Sequence, residues 1–319
     1  MHEIIERAGG TLDCLVSRSG GIRLEIKRKG AELISLQKLC GDGVWRGYLY
    51  RDGLADTPAE GWTSHSTLMG YYIHRLWEQR SFYRGKEIRG GTHGFLRHCI
   101  FGAPEYDAGD ASLTYRLAAK DVPSGSYPLR VSFALVYRLV EGGGVEVEFR
   151  FENEEPETEA HISFGLHPGI ELTKLADGRV LMPAGRYVRH IAPGDFLDGN
   201  TVEIDHAGGA MPFSIEGLPD SYLLALDGVP ERNFLVEDPA SGRSLALEFG
   251  DCPFLTLWSN GADFVCVEPC WGLPDSNPPT AFEDKPGIQK LPPRGKIAKS
   301  FRMSPRWVAP TIYSNLLSR

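Results

Sequence analysis

Leu129-Arg-Val-Ser-Phe-Ala-Leu-Val-Tyr-Arg-Leu-Val-Glu-Gly-Gly-Gly-Val-Glu-Val-Glu-Phe-Arg-Phe-Glu152 decides the fold class. Leu129, Val131, Phe133, Leu135, Tyr137 and Leu139 recur at every second position. After them, Val145, Val147, Phe149 and Phe151 alternate with Glu146, Glu148, Arg150 and Glu152. A period of two puts the apolar side chains on one face of an extended chain and the charges on the other. Between the two runs, Glu141-Gly-Gly-Gly144 supplies residues that accept positive φ, as a tight hairpin requires. The stretch predicts one long antiparallel hairpin.

Outward from it, strand-like runs occur at 22–27, 33–37, 112–117, 222–226, 234–237, 244–249, 255–258, 264–268 and 297–303. No segment carries a helical stripe over three turns, and the 37 glycines and 22 prolines punctuate the runs as tight turns do. The prediction is an all-β chain, a large antiparallel two-sheet sandwich or a barrel. No linker, repeat or low-complexity tract divides it, so residues 1–319 are expected to form one domain. Residues 305–319, with Trp307 and Tyr313, read as a C-terminal tail that packs back on the surface or meets another subunit.

A formal net charge of -8 with no block of Lys or Arg argues against a nucleic-acid or anionic-membrane surface, because both need clustered positive charge. A small molecule is the expected partner. The six cysteines form no CxxC pair and read as reduced thiols. The polar, acidic N-terminus does not resemble a signal peptide, and no apolar run reaches membrane-spanning length, so a soluble, cytoplasmic protein is expected.

Three short words carry chemistry. Glu268 lies in Val265-Cys-Val-Glu-Pro-Cys-Trp-Gly272, His93 in Thr92-His-Gly-Phe-Leu-Arg97, and His167 in Phe164-Gly-Leu-His-Pro-Gly169. A carboxylate and two imidazoles can divide proton removal and proton donation between them. The same residue types also bind metals, but the close His-x-His spacing that usually anchors such sites is absent, and neither metal nor cofactor is expected. Trp62, Trp77 and Trp271 are candidates to stack on a flat apolar face of a small-molecule ligand, with core packing the alternative for each. Trp271 is preferred because it follows Glu268 so closely.

Taken in order, the words resemble the aldose 1-epimerases, the galactose mutarotase-like family. Gly30-Ala-Glu-Leu-Ile-Ser-Leu36 with Val44-Trp45 is similar to that family's opening strand pair. Arg75 followed by Tyr83-Arg-Gly-Lys-Glu87 and His93 resembles its Gly-Arg segment, short hairpin and His-Gly-Phe-x-Arg word. Tyr127-Pro-Leu, Asn153, His167-Pro168, Asp238-Pro-Ala-Ser-Gly-Arg243, Pro253-Phe-Leu-Thr-Leu-Trp258, Glu268-Pro-Cys-Trp-Gly272 and Lys285-Pro-Gly-Ile-Gln-Lys-Leu continue the series through nearly the whole chain.

The resemblance implies a two-sheet β-supersandwich and a metal-free isomerase that opens and recloses a hexose ring. It implies Glu268 as base at O1, His167 as acid at the ring oxygen, and His93 as a further catalytic group that orients the sugar. Arg75 would hold sugar hydroxyls or an anionic substituent, and either Asp220 or Asp227 would contact the sugar. Three departures stand out: His74 and Leu166 where glycines are usual, and a Ser64-His-Ser-Thr-Leu-Met-Gly70 segment without the usual proline-rich word. Two further readings stay open. One is a mutarotase for an anionic sugar such as a hexose 6-phosphate, with Arg75 and Arg80 or Arg97 binding the charge. The other is a non-catalytic carbohydrate-binding protein. Specificity is expected from the loops at 63–69 and 273–282.

Overall fold

The computed structural model of the chain describes residues 1–7, 10–19, 21–54, 61–214, 218 and 220–309. The hairpin forms as the alternation predicts: Val131–Val140 pairs antiparallel with Gly144–Asn153, from Val131 opposite Asn153 to Val140 opposite Gly144. Gly142 and Gly143 carry the positive φ of its turn. This hairpin lies within a nine-stranded antiparallel sheet, with Lys296–Trp307, the central strand, beside Gly144–Asn153 and Ser112–Leu117 beside Val131–Val140.

A second large sheet of eight strands faces it. Its central strands run in the order Tyr222–Gly228, Phe254–Trp258, Phe264–Trp271 and Ala160–Glu171, and Ser66–Tyr71 pairs with the last of these. The two sheets meet through aromatic side chains. Phe149 and Phe151 of the hairpin lie 5.3 and 4.7 Å, ring centre to ring centre, from Phe164 of the second sheet. The two inner faces form the sandwich core, and burying them is the main stabilising term of the fold.

A five-stranded N-terminal sheet, from His2–Arg7 to Trp45–Gly47, closes one side. It is tied to the nine-stranded sheet by buried phenols: Tyr137 donates to the Ala31 carbonyl and Tyr115 to the Asp13 carboxylate. Every strand pair is antiparallel, and among the described residues no helix exceeds one three-residue turn. The all-β two-sheet sandwich is therefore the fold.

Two boundaries differ from the sequence reading. The last strand runs on through Pro305 to Trp307, whose indole donates to the Ser241 carbonyl, so 305–307 belong to the sheet rather than to a tail. Tyr313 lies outside the described residues. The 63–69 segment is not all loop, because Ser66–Tyr71 is a buried strand of the second sheet.

Candidate active site

The outer face of the eight-stranded sheet carries a row of side chains fixed by strand register. Leu223 stands opposite Thr256, Thr256 opposite Glu268, and His167 opposite Thr67. His167 and Glu268 complete the row, because the pairs on either side, Gly165 with Cys270 and Gly169 with Cys266, set them across from each other. Between those pairs the ladder lapses. There Pro168 and Pro269, which have no N–H to give, stand across from Val267 and Leu166. The side chains of His167 and Glu268 meet, His167 Nε2 lying 3.3 Å from Glu268 Oε1.

Both groups are deeply buried, at 6% and 1% exposure. Burial pushes the His167 imidazole down to about 3, helped by the positive charge of Arg97, and it pushes the Glu268 carboxyl well above the ordinary carboxylate range. Burial thus favours an uncharged imidazole beside a carboxyl that keeps its proton more readily than an ordinary carboxylate does. His167 Nδ1, Glu268 Oε2 and Thr67 Oγ1 are buried without a hydrogen-bond partner. Such orphaned atoms are rare in folded proteins and cluster where a polar ligand is received.

His93 reaches the same place from a loop. Its own φ is positive, and so is that of Gly94, where a Cβ would overlap the Gly70 carbonyl. Glycine after His93 thus lets the loop lie against the Ser66–Tyr71 strand. The backbone N–H of His74 donates to His93 Nδ1 at 3.2 Å, which leaves the ring proton on Nε2 as a donor. The His93 and His167 rings are 5.1 Å apart and nearly perpendicular. Burial, and then the neighbouring His167, His74, Arg97 and Arg75, hold His93 well below its usual range.

These groups line a cavity of about 260 Å³ with Thr67, His74, Arg75, Arg97, Asp195, Ser221, Leu223, Trp62 and Trp258 among its walls. Arg75 is about half exposed and its Nε lies 2.9 Å from Asp195 Oδ2. Arg97 is mostly buried, and no carboxylate among the described residues lies within ion-pair distance of it. Trp62 stacks on the His167 ring at 5.2 Å, and Trp258 meets the same ring edge-on at 5.7 Å.

The structure thus brings Glu268, His167, His93 and Arg75 to one cavity. It does not bring Trp271 there. Phe264–Trp271 continues as a strand past Glu268, so Trp271, three residues on, points to the opposite face. It is 1% exposed in the sandwich core, stacked on Phe164. Asp220 and Asp227 are both exposed and neither lines the cavity; Ser221, with positive φ, does so in their place. Arg80 is exposed, pairs with Glu78, and lies away from the cavity. Trp258, Thr67 and Asp195 went unseen in the sequence, and only strand parity with Glu268 and His167 could have signalled the first two.

The family model described as aldose 1-epimerase matches residues 83–304. Protein LacX (plasmid) of Lactococcus lactis subsp. lactis is 26% identical over 239 residues, covering 70% of this chain and 77% of that protein. Among solved structures, a galactose mutarotase related enzyme from Lactobacillus acidophilus superposes with a TM-score of 0.81 at 22% identity, covering 97% of this chain and 98% of that one. A galactose mutarotase-like protein from Lactobacillus casei ATCC 334 gives 0.74 at 21% identity, covering 96% and 100%. With a family model spanning most of its length and the fold shared from end to end, this chain belongs to the aldose 1-epimerase family.

Proposed function

We propose that the protein is an aldose 1-epimerase that interconverts the α and β anomers of an aldohexose or a related sugar. The observation that carries this reading is the buried His167–Glu268 contact at 3.3 Å, facing a sugar-sized cavity. Ring opening needs a proton taken from O1 and a proton given to the ring oxygen. A neutral pair with one exchangeable proton can do both.

The resting proton sits on Glu268. Its transfer to His167 generates a carboxylate and an imidazolium side by side, the working pair. Glu268 then removes the O1 proton as His167 protonates the ring oxygen. The C1–ring oxygen bond breaks, its electron pair stays on the oxygen, and a C1=O1 double bond forms. Rotation about C1–C2 presents the other face, and the reverse transfers close the ring as the opposite anomer. His93, with its proton on Nε2, donates to the oxygen on which charge develops. Trp62 and Trp258 supply apolar walls for the C–H face of the ring.

Replacing Glu268 by Gln removes the proton acceptor and keeps the shape. Anomer exchange measured by NMR exchange spectroscopy should slow by about 10²–10⁴-fold with sugar binding retained. Unchanged exchange would sink the acid–base assignment, and a chain that binds sugars without accelerating exchange would be a carbohydrate-binding protein. A second reading, favoured by the Arg97 guanidinium in the cavity wall, which makes no ion pair among the described residues, is that the sugar carries a phosphate or carboxylate.

A further inference from the structure

Glu268 of the proposed acid–base pair also belongs to a second set of donor atoms, whose other two members the ring-opening chemistry does not use. Among the described residues, one group of three metal-ligand side chains has its donor atoms all within 4.8 Å of one another: His74, Glu268 and Cys270. It differs from the set of His93, His167 and Glu268, for which no metal is expected from the sequence. Glu268 and Cys270 are two residues apart on one strand and so share a face, while His74 arrives from the segment after Ser66–Tyr71. His74 Nε2 lies 3.9 Å from Cys270 Sγ.

At ordinary Zn–S and Zn–N lengths, tetrahedral ligand atoms sit roughly 3.4–3.6 Å from one another, so a triangle whose sides are within 4.8 Å needs a contraction of at most about 1.4 Å. Glu268 Oε2 is buried with no hydrogen-bond partner, an independent sign that the position is built to receive something. His74 and Glu268 both line the cavity, which provides an entry path and an open fourth position.

We propose that His74, Glu268 and Cys270 form a binding site for a borderline-soft divalent cation of the Zn²⁺ class, and that occupancy switches the protein off by tying up the Glu268 carboxylate. A thiolate, an imidazole and a carboxylate select Zn²⁺, Co²⁺ or Cd²⁺ over Mg²⁺ and Ca²⁺, which prefer all-oxygen shells. Binding releases the Cys270 thiol proton and the Glu268 carboxyl proton to solvent as the S–metal and O–metal bonds form, so no oxidant or reductant is involved. The switching part of this inference rests on the reading of Glu268 as the base; the binding part does not.

The test therefore has two readouts on the full chain, previously stripped with a chelator. Co²⁺ should bind one ion per chain with a thiolate-to-metal charge-transfer absorption, and Mg²⁺ should not displace it. The band should vanish in Cys270→Ala, persist in Cys252→Ala, and weaken in His74→Asn, which samples the site where the cysteine variant fails to fold. Stoichiometric Zn²⁺ should slow anomer exchange of the wild type at least tenfold, and Cys270→Ala should keep its basal exchange while losing that sensitivity. No Co²⁺ binding, or a band unchanged in Cys270→Ala and His74→Asn, overturns the site. Metal binding with the expected spectrum in a protein that never catalyses anomer exchange leaves the site standing and overturns the switch and the mutarotase reading together.

Discussion

Gly169 passes directly beneath the indole of Trp62: a Cβ at that position would overlap the ring. Trp62 in turn lies parallel to the His167 imidazole, two residues before Gly169 on the same strand face. A bare backbone thus lets one aromatic wall of the cavity lie flat. Gly169→Ala should lift the indole off its place while leaving the acid–base pair where it is. The expected result is a roughly two- to tenfold rise in KM for the sugar with kcat little changed, the equivalent of one aromatic contact. An unaltered KM would remove Trp62 from the binding surface.

Acid should unfold this protein early. His167, His74 and His93 are all held below their ordinary value by burial, His167 to about 3 and His74 to about 4. Each binds a proton more readily in the unfolded chain, so the stability it contributes is complete above about pH 6.5 and is lost as pH falls toward the native value. The slope is about 1.4 kcal/mol per pH unit for each ring. The raised Glu268 carboxyl works in the other sense, its contribution falling as pH rises above about 4.5. Three histidines against one carboxyl leave a net loss on acidification. Urea unfolding at pH 7 and pH 5 in chelator-containing buffer should show a marked drop in midpoint; a flat profile would contradict the buried, neutral histidines.

Trp271 is a stability residue. Stacked on Phe164 at 5.2 Å and set against Phe149 at 5.6 Å, it joins the two sheets. Trp271→Ala should cost about 3–5 kcal/mol by chemical denaturation, and Trp271→Phe distinctly less. A weakened sugar affinity in Trp271→Phe without loss of stability would return it to the cavity.

Arg97 and Arg75 differ in a testable way. Arg75 is ion-paired to Asp195, whereas Arg97 lines the cavity with no ion-pair partner among the described residues, only the more distant attraction of Glu32. If the substrate carries a negative group, Arg97→Ala should raise KM for a hexose phosphate or uronate at least tenfold and leave that for the neutral hexose nearly unchanged. Equal effects on both would assign Arg97 to hydroxyl recognition.

The hairpin at 129–152 was fully legible because large apolar side chains recur at every second position in both strands, and in Gly144–Asn153 the outer face between them is charged. The strand that carries His167 was not. Ala160–Glu171 is buried on both faces along nearly its whole length, and so is Ser66–Tyr71, so neither has a polar face to mark its period. Motif words found His167, Glu268, His93 and Arg75 without needing those strands. They failed at Trp271 for a related reason: ending the strand at Glu268 hid the parity that turns the indole inward. Trp258 was missed because its place opposite Cys266 exists only once the sheet is paired.

The row Leu223, Thr256, Glu268, His167, Thr67 crosses five strands whose other face is the sandwich core. A slip of one residue in any of these pairings would send its polar group into the core and bring core side chains such as Leu166, Val267 or Trp271 out into the cavity. The dry interior therefore acts as a proofreader for the chemistry. The alignment that folds is the alignment that sets the two proton-carrying groups side by side, and substitutions in the surrounding loops can retune which sugar enters without disturbing it.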